Sequence, residues 1–257
     1  MKIRVFLPAF NVGKNIKELL KEFSDVVFII ERSGYAMEVL VIDDCSTDDT
    51  KNVLNQLHYN WLLVKSNEVN IGNAGNIIAG YQWSIESDFG ADVVGCMDAD
   101  GEHSPYALVR HLKMIKDGLC DSVVGSIIFP DHDCNYHDRN MMRFWGGMQS
   151  VMAGVDGMFY IQSPGYNLHQ RFRVAEALRL LEEYKNFFAG ASKDPFPRWG
   201  LHGVMIYLIA VGTKAQVKAV YLECFGKSPN RTLDKLILQA NAASIHSTML
   251  TKFLPKT

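Results

Sequence analysis

Apolar and polar positions alternate along the first half of the chain in two rhythms. IRVFLPAF (3–10) is a continuous β-prone run, the pattern of a parallel strand buried on both faces. Ile16, Leu19, Leu20, Phe23, Val27 and Ile30 then recur at helical spacing, and Gly34 ends that helix. EVLVIDD (38–44) is a second buried strand with acids at its C-terminal end. STDDT (46–50) reads as a helix start, with Ser46 as cap and acids suited to the helix dipole. WLLVKS (61–66) is a third strand, and NIGNAGNIIAGYQWSI (70–85) passes from glycines into helical periodicity. DVVGCMDAD (92–100) is a fourth strand, Pro105 opens a helix to Lys116, and CDSVVGSIIF (120–129) is a fifth strand. Strand and helix alternating at this spacing predict a mostly parallel sheet with helices on both faces.

The second half is less regular. PDHDCNYHDRN (130–140) is a polar loop, and helical stretches are expected near 140–154, 173–189 and 201–212. KAQVKAVYLE (214–223) reads as a late strand and 232–253 as a terminal helix. On that helix Leu233, Leu236, Ile237, Ala240, Leu250 and Phe253 form an apolar face flanked by Lys235 and Lys252. Such a face either packs on the domain or lies on a membrane surface. We divide the chain into residues 1–129 and 130–257, two halves of one α/β domain.

Composition narrows the setting. At 257 residues and a net charge of −2, the chain suits one sizeable domain and carries no general nucleic-acid footprint. The five cysteines, Cys45, Cys96, Cys120, Cys134 and Cys224, are scattered and odd in number, which points to reduced thiols. The first apolar run reads as a strand rather than a signal peptide, and GVMIYLIAVG (203–212) is about half a bilayer span. The expectation is a cytoplasmic protein, at most peripheral to a membrane.

Candidate chemistry gathers at strand ends, where open α/β sheets bind ligands. Strand one ends at Pro8-Ala9-Phe10-Asn11, strand two at Asp43-Asp44-Cys45-Ser46, and strand four at Asp98-Ala99-Asp100. No GxGxxG follows strand one, and no P-loop pattern occurs anywhere. A carboxylate-held Mg²⁺ or Mn²⁺ is then the natural partner for a phosphate. His132, Cys134 and His137 lack a second ligand pair at zinc spacing and read as a surface loop. His103 is a core or capping histidine or an active-site one.

VFLPAFNVGKNI, EVLVIDDCSTDDT, NIGNAGNIIAGY, VVGCMDADGEHSP and VVGSI occur in the order and spacing of the family-2 glycosyltransferases of GT-A fold. MDADGEHSP most resembles a segment of the polyprenyl-phosphate sugar transferases, the dolichol-phosphate mannosyltransferase type. The resemblance covers roughly residues 3–128, and more weakly SPGYNLHQRFRVAEAL (163–178) and SPNRTLDKL (228–236). It implies a metal-dependent, inverting enzyme taking a GDP- or UDP-sugar as donor. Pro8, Ala9 and Asn11 would border the nucleotide, and Asp43 or Asp44 would accept a hydrogen bond from the base. Gly72, Asn73 and Gly75 would let the backbone approach the ribose and diphosphate. Asp98 would face the ribose or sugar, while Asp100, completed by Glu102, would bind the divalent metal.

The acceptor side departs from the subgroup. Its arginine after strand five is replaced by Ile127 in Gly125-Ser126-Ile127, and Arg139, Arg143 and Arg231 are the candidate replacements for holding an acceptor phosphate. Pro195 stands at the glutamine position of the QxxRW signature before Arg198-Trp199, which argues against a processive polymerase. The acceptor is a polyprenyl phosphate, already ionised, or a glycan or lipid hydroxyl needing a base, for which Asp194 is the candidate. A weak sugar-nucleotide-binding protein and a nucleotidyltransferase are the alternatives. The latter lacks the basic glycine-rich loop expected after strand one.

Overall fold

The computed structural model describes residues 1–127, 163–191, 201–222, 249–250 and 252–254. Strand β1 (Lys2–Ala9) runs inside the sheet, and Ile3, Val5, Phe6 and Leu7 are fully buried, as a strand covered on both faces requires. The chain continues through α1 (Ile16–Arg32), β2 (Ala36–Asp43), α2 (Thr50–Asn55), β3 (Leu62–Ser66), α3 (Gly72–Glu86), β4 (Val93–Cys96), α4 (Ala107–Lys116) and β5 (Ser122–Ile127). After residue 162 come β6 (Ser163–Gln170), α5 (Arg171–Ala191), α6 (Leu201–Tyr207) with a π-helical extension Leu208–Gly212, and β7 (Val217–Leu222).

The sheet order is β3-β2-β1-β4-β6-β5-β7, parallel except for β6, which is antiparallel to both neighbours. One face packs Ile3, Val5 and Leu7 against Ile16, Leu20 and Phe23 of α1 and Leu108 and Leu112 of α4. The other packs Phe6, Leu40 and Ile42 against Tyr81 of α3, Leu181 of α5 and Met205 of α6. Gly80 lets α3 come this close, because a Cβ there would lie 2.3 Å from the Phe6 ring.

Several expectations are corrected. Ser46 does not begin a helix; α2 starts at Thr50. The fourth strand stops at Cys96, so Met97–Asp100 peel away from it. The third strand forms where expected, at the edge of the sheet, with Leu63 and Val64 exposed. β6 was not anticipated as a strand, because Pro164, Gly165, Asn167 and His169 interrupt its apolar pattern. Cys45, Cys96 and Cys120 are free thiols. Of the terminal apolar face, Leu250 is buried, and the Phe253 ring lies 5.6 Å from Tyr184 and 5.5 Å from Phe187, so these two residues pack on the domain. No helix among the described residues is long and apolar enough to cross a membrane. The helices expected near 140–154 and over most of 232–253, the loop bearing His132, Cys134 and His137, and Cys224 lie outside the described residues.

Candidate active site

Sheet topology fixes where a crevice opens. From β1 the chain winds to β2 and β3 on one side and then returns to β4 on the other. The carboxyl ends of β1 and β4 therefore flank the point where the winding reverses. Ala9 is paired with Asp43, and the β1–β4 ladder closes at Phe6 and Cys96, so the loops after β1, β2 and β4 meet there.

Asn11 sits in the left-handed region (φ 56°) at the turn out of β1. Its backbone N–H donates to Ser46 Oγ at 2.9 Å, and its side-chain oxygen accepts the N–H groups of Thr47 at 2.8 Å and Asp48 at 3.3 Å. Asp48 accepts the N–H of Gly13 at 3.1 Å and of Thr50 at 2.9 Å. Burial opposes ionisation of Asp48, yet hydrogen bonds from the Thr50 hydroxyl and from the backbone of Thr50 and Gly13 hold its carboxyl below the usual range. Ser46 thus ties the β2 loop to the β1 loop instead of capping a helix. Pro8 is part-buried and Ala9 buried, the latter accepting the Asp44 N–H at 2.8 Å.

The two adjacent acids at the end of β2 do different things. Asp44 is 2% exposed and fully engaged. Its Oδ1 accepts Asn67 Nδ2 at 2.8 Å and the Ile71 N–H at 2.9 Å, and its Oδ2 accepts the Gly72 N–H at 2.9 Å. It is the anion at the N-terminus of α3, supplied from a neighbouring strand. Gly72 meets it in a left-handed conformation (φ 78°) that favours glycine. Asp43 accepts the Ser46 N–H at 3.1 Å and closes the β2 end. Asn73 and Gly75 are part-buried on the first turn of α3, and a Cβ on Gly75 would press on the Ile71 side chain at 3.1 Å.

Beyond β4, Asp98 and Asp100 are part-buried and Glu102 is 6% exposed. Gly101 (φ 82°) makes the turn, Asp100 Oδ1 accepts the Glu102 N–H at 3.0 Å, and the Asp100 carbonyl accepts Asn15 Nδ2 at 2.7 Å. Asn15 thereby clamps the β4 loop to the start of α1. His103 is 1% exposed with its ring edge-on to Tyr166. Among the described residues, no three His, Cys, Asp or Glu side chains converge closely enough to cage a cation. That donor set suits Mg²⁺ or Mn²⁺, which take one or two carboxylates and complete their shell with water and substrate phosphates.

Sequence reasoning passed over an asparagine ladder. Asn67, Asn70 and Asn76 all bond into the β2 end: Asn67 to Asp44, Asn70 to the Asp44 carbonyl at 3.0 Å, and Asn76 to the Ile42 carbonyl at 2.9 Å. The signal was Asn76, a polar residue on the apolar face of NIGNAGNIIAGY. It also passed over His111, whose Nδ1 pairs with the Tyr166 hydroxyl at 2.7 Å beneath the site. Asp194, Arg139, Arg143 and Arg231 lie outside the described residues.

A mixed α/β sheet here carries acids beyond the end of β4 and a glycine turn opening α3. The model for "Glycosyl transferase family 2" matches residues 4–176, and the chain belongs to that family. An undecaprenyl-phosphate mannosyltransferase of Micrococcus luteus is 29% identical over 169 residues, 61% of this chain and 62% of that protein. A dolichol-phosphate mannosyltransferase of Pyrococcus furiosus is 27% identical over 129 residues, 49% of this chain and 33% of that protein. The chain thus spans less than two thirds of the length of either relative. In fold it is similar to the mannosyl-3-phosphoglycerate synthase of Rubrobacter xylanophilus (TM-score 0.60, 16% identity, 98% of this chain and 74% of that one). It is also similar to a mannosyltransferase of Pyrobaculum calidifontis solved with GDP-Man and Mn²⁺ (TM-score 0.54, 14% identity, 98% of this chain and 73% of that one).

Proposed function

We propose that the chain transfers a sugar from a nucleotide-diphospho-sugar to an acceptor, with inversion at the anomeric carbon and with a divalent cation at the donor diphosphate. The observation that carries this is the division of labour at the crevice. Asp44 is consumed in holding the glycine turn, while Asp98 and Asp100 stand part-buried at the opposite lip. Pro8, Ala9 and Asn11 border the nucleotide, and with Asp44 engaged, Asp43 is the acid that meets the base. Gly72, Asn73 and Gly75 admit the ribose and diphosphate. Asp98 faces the sugar or ribose, and Asp100 with Glu102 holds the cation. When bound, that cation supplies charge neutralisation to the departing diphosphate.

The acceptor oxygen attacks the anomeric carbon as the bond to the diphosphate oxygen breaks, and the electron pair leaves with the nucleotide diphosphate. A phosphate acceptor arrives without a proton to lose. A hydroxyl acceptor gives its proton to a carboxylate, and Asp194 is the candidate by residue type. The relatives named as undecaprenyl-phosphate and dolichol-phosphate mannosyltransferases favour a polyprenyl phosphate, with Arg139, Arg143 and Arg231 as the cations between two anions. A sugar-nucleotide-binding protein with little transferase activity is the second reading, favoured by Ile127 standing where the subgroup has an arginine.

Incubating the protein with GDP-mannose, UDP-glucose and UDP-N-acetylglucosamine, with and without a polyprenyl phosphate, and separating products by mass tests this. Transfer in the presence of Mn²⁺ is the expected result. Binding of a nucleotide sugar with no turnover on phosphate or hydroxyl acceptors selects the second reading.

A further inference from the structure

β6 pairs with β4 and β5 as far as Asn167 and rejoins β5 only at Ser163. Ser122, Val123 and Val124 pair in turn with His169, Leu168 and Asn167, and then Gly125 pairs with Ser163. Residues 164–166 are thus bulged out of the β5 ladder. On the other edge, Val93 lies opposite Gln170 and Cys96 opposite Asn167 in antiparallel register. Continuing that register by two places sets Asp98 opposite Gly165. Bulges of this kind re-aim side chains beside functional sites.

The atoms agree with the register. A Cβ built on Gly165 would lie 2.0 Å from Asp98 Oδ2, 2.5 Å from Cγ and 2.8 Å from Oδ1. The Asp98 carboxylate therefore fills the volume that any side chain at 165 would need. Gly165 is buried, and its φ lies outside the left-handed region, so its backbone conformation does not call for glycine. Glycine weakens a strand interior and is kept where another group must come close. Here that group is the carboxylate.

We propose that Gly165 is a positioning residue for the donor reaction: its missing side chain leaves the seat in which β6 holds the Asp98 carboxylate at the lip of the crevice. This rests on the donor reading above. Gly165 lies in the bulge between the paired positions Ser163 and Asn167, whereas the atoms its Cβ would meet are the far end of the Asp98 side chain, which has already left its strand. In a collision the carboxylate moves and the strand stays. Gly165→Ala is thus a displacement of Asp98 that keeps its charge.

The test uses four full-length proteins: wild type, Gly165→Ala, Asp98→Ala and the double variant. Nucleotide-sugar affinity is measured by calorimetry with Mn²⁺, and melting temperature without ligand. With Asp98 present, Gly165→Ala is expected to weaken donor affinity about tenfold, the weight of one charge-assisted hydrogen bond, and to lower the melting temperature. With Asp98→Ala, where no carboxylate remains to be struck, the same change is expected to alter affinity by less than about twofold and leave melting unchanged. Equal losses in both backgrounds overturn the seat. Wild-type binding with an unaffected Gly165→Ala variant overturns this assignment alone, whereas a wild type that binds no nucleotide sugar overturns the donor reading and this assignment with it. If Gly165→Ala fails to fold, a folded double variant locates the collision at the carboxylate, and an unfolded one rejects it.

Discussion

Asp44 and Asp100 stand just beyond the two parallel strands that flank β1, yet the protein uses them in opposite ways. The Asp44 carboxylate accepts three donors, from Asn67, Ile71 and Gly72, and is 2% exposed. The Asp100 carboxylate accepts the Glu102 N–H and is part-buried. An acid at a strand end is therefore not by itself a ligand. The number of protein N–H groups aimed at it separates the acid that builds the crevice from the acid that serves it. Asp48 belongs with Asp44: hydrogen bonds from Thr50 and Gly13 pull its carboxyl down.

The strongest way to break the contrast is to remove Asp44. Asp44→Ala strips the only carboxylate from three donors and is expected to cost roughly 3 kcal/mol or more of stability, about 6–12 °C in melting temperature. Calorimetric melting checks it, and an unchanged midpoint returns Asp44 to the ligand-facing class.

Acid titration probes the fold from another side, through its buried histidines. Burial pushes His169 down to about 3, with His202 adding to the effect, pushes His202 down to about 4, and with Arg110 pushes His111 down to about 4. The ring nitrogens of His169 and His202 find no hydrogen-bond partner among the described residues. Their ordinary value is 6.5, so above that pH both folded and unfolded chains carry them neutral. As pH falls from 6.5 towards 3, the unfolded chain takes up protons that the fold refuses. Stability is full above 6.5 and drops through that window by up to about 1.4 kcal/mol per pH unit for each histidine. Denaturant titrations from pH 7 to 4 are expected to show a flatter loss in His169→Leu than in wild type, and equal slopes would remove β6 from the acid response.

Ser46→Ala is the smallest expected effect. One exposed bond to the Asn11 N–H is lost, with about 0.5–1 kcal/mol of stability and less than about twofold in donor affinity. A loss on the scale of Asp44→Ala would mean that the Ser46 hydroxyl does more than tie the β1 and β2 loops through one bond.

The parallel half of the fold was legible because β1, β2, β4 and β5 are nearly unbroken apolar runs, and because helix α1 buries every residue its periodicity marked. The glycine turn at Gly72 and the acids at Asp43, Asp44, Asp98 and Asp100 were legible as positions, since strand ends in such sheets are where ligands go. What each acid does was not. Asp44 is assigned by N–H groups that the chain supplies only at Asn67, Ile71 and Gly72, and nothing local to VIDD foretells them. Ser46 satisfied every local rule for a cap and was claimed instead by Asn11, a tertiary partner. β6 stayed hidden because the residues that suit it to the site, Gly165 and the inward-facing Asn167 and His169, are the ones that break a strand pattern. Its place between β4 and β5 is also a nonlocal pairing that periodicity cannot report.

The most direct measurement is calorimetric titration of GDP-mannose and UDP-N-acetylglucosamine into wild type and Asp100→Ala, each with Mn²⁺ and with chelator. The account predicts that wild type binds at least one nucleotide sugar, that chelator weakens binding at least about tenfold, and that Asp100→Ala binds equally poorly in both conditions while melting within about 2 °C of wild type. Equal wild-type affinity with Mn²⁺ and with chelator, or an Asp100→Ala variant that melts far below wild type, contradicts it.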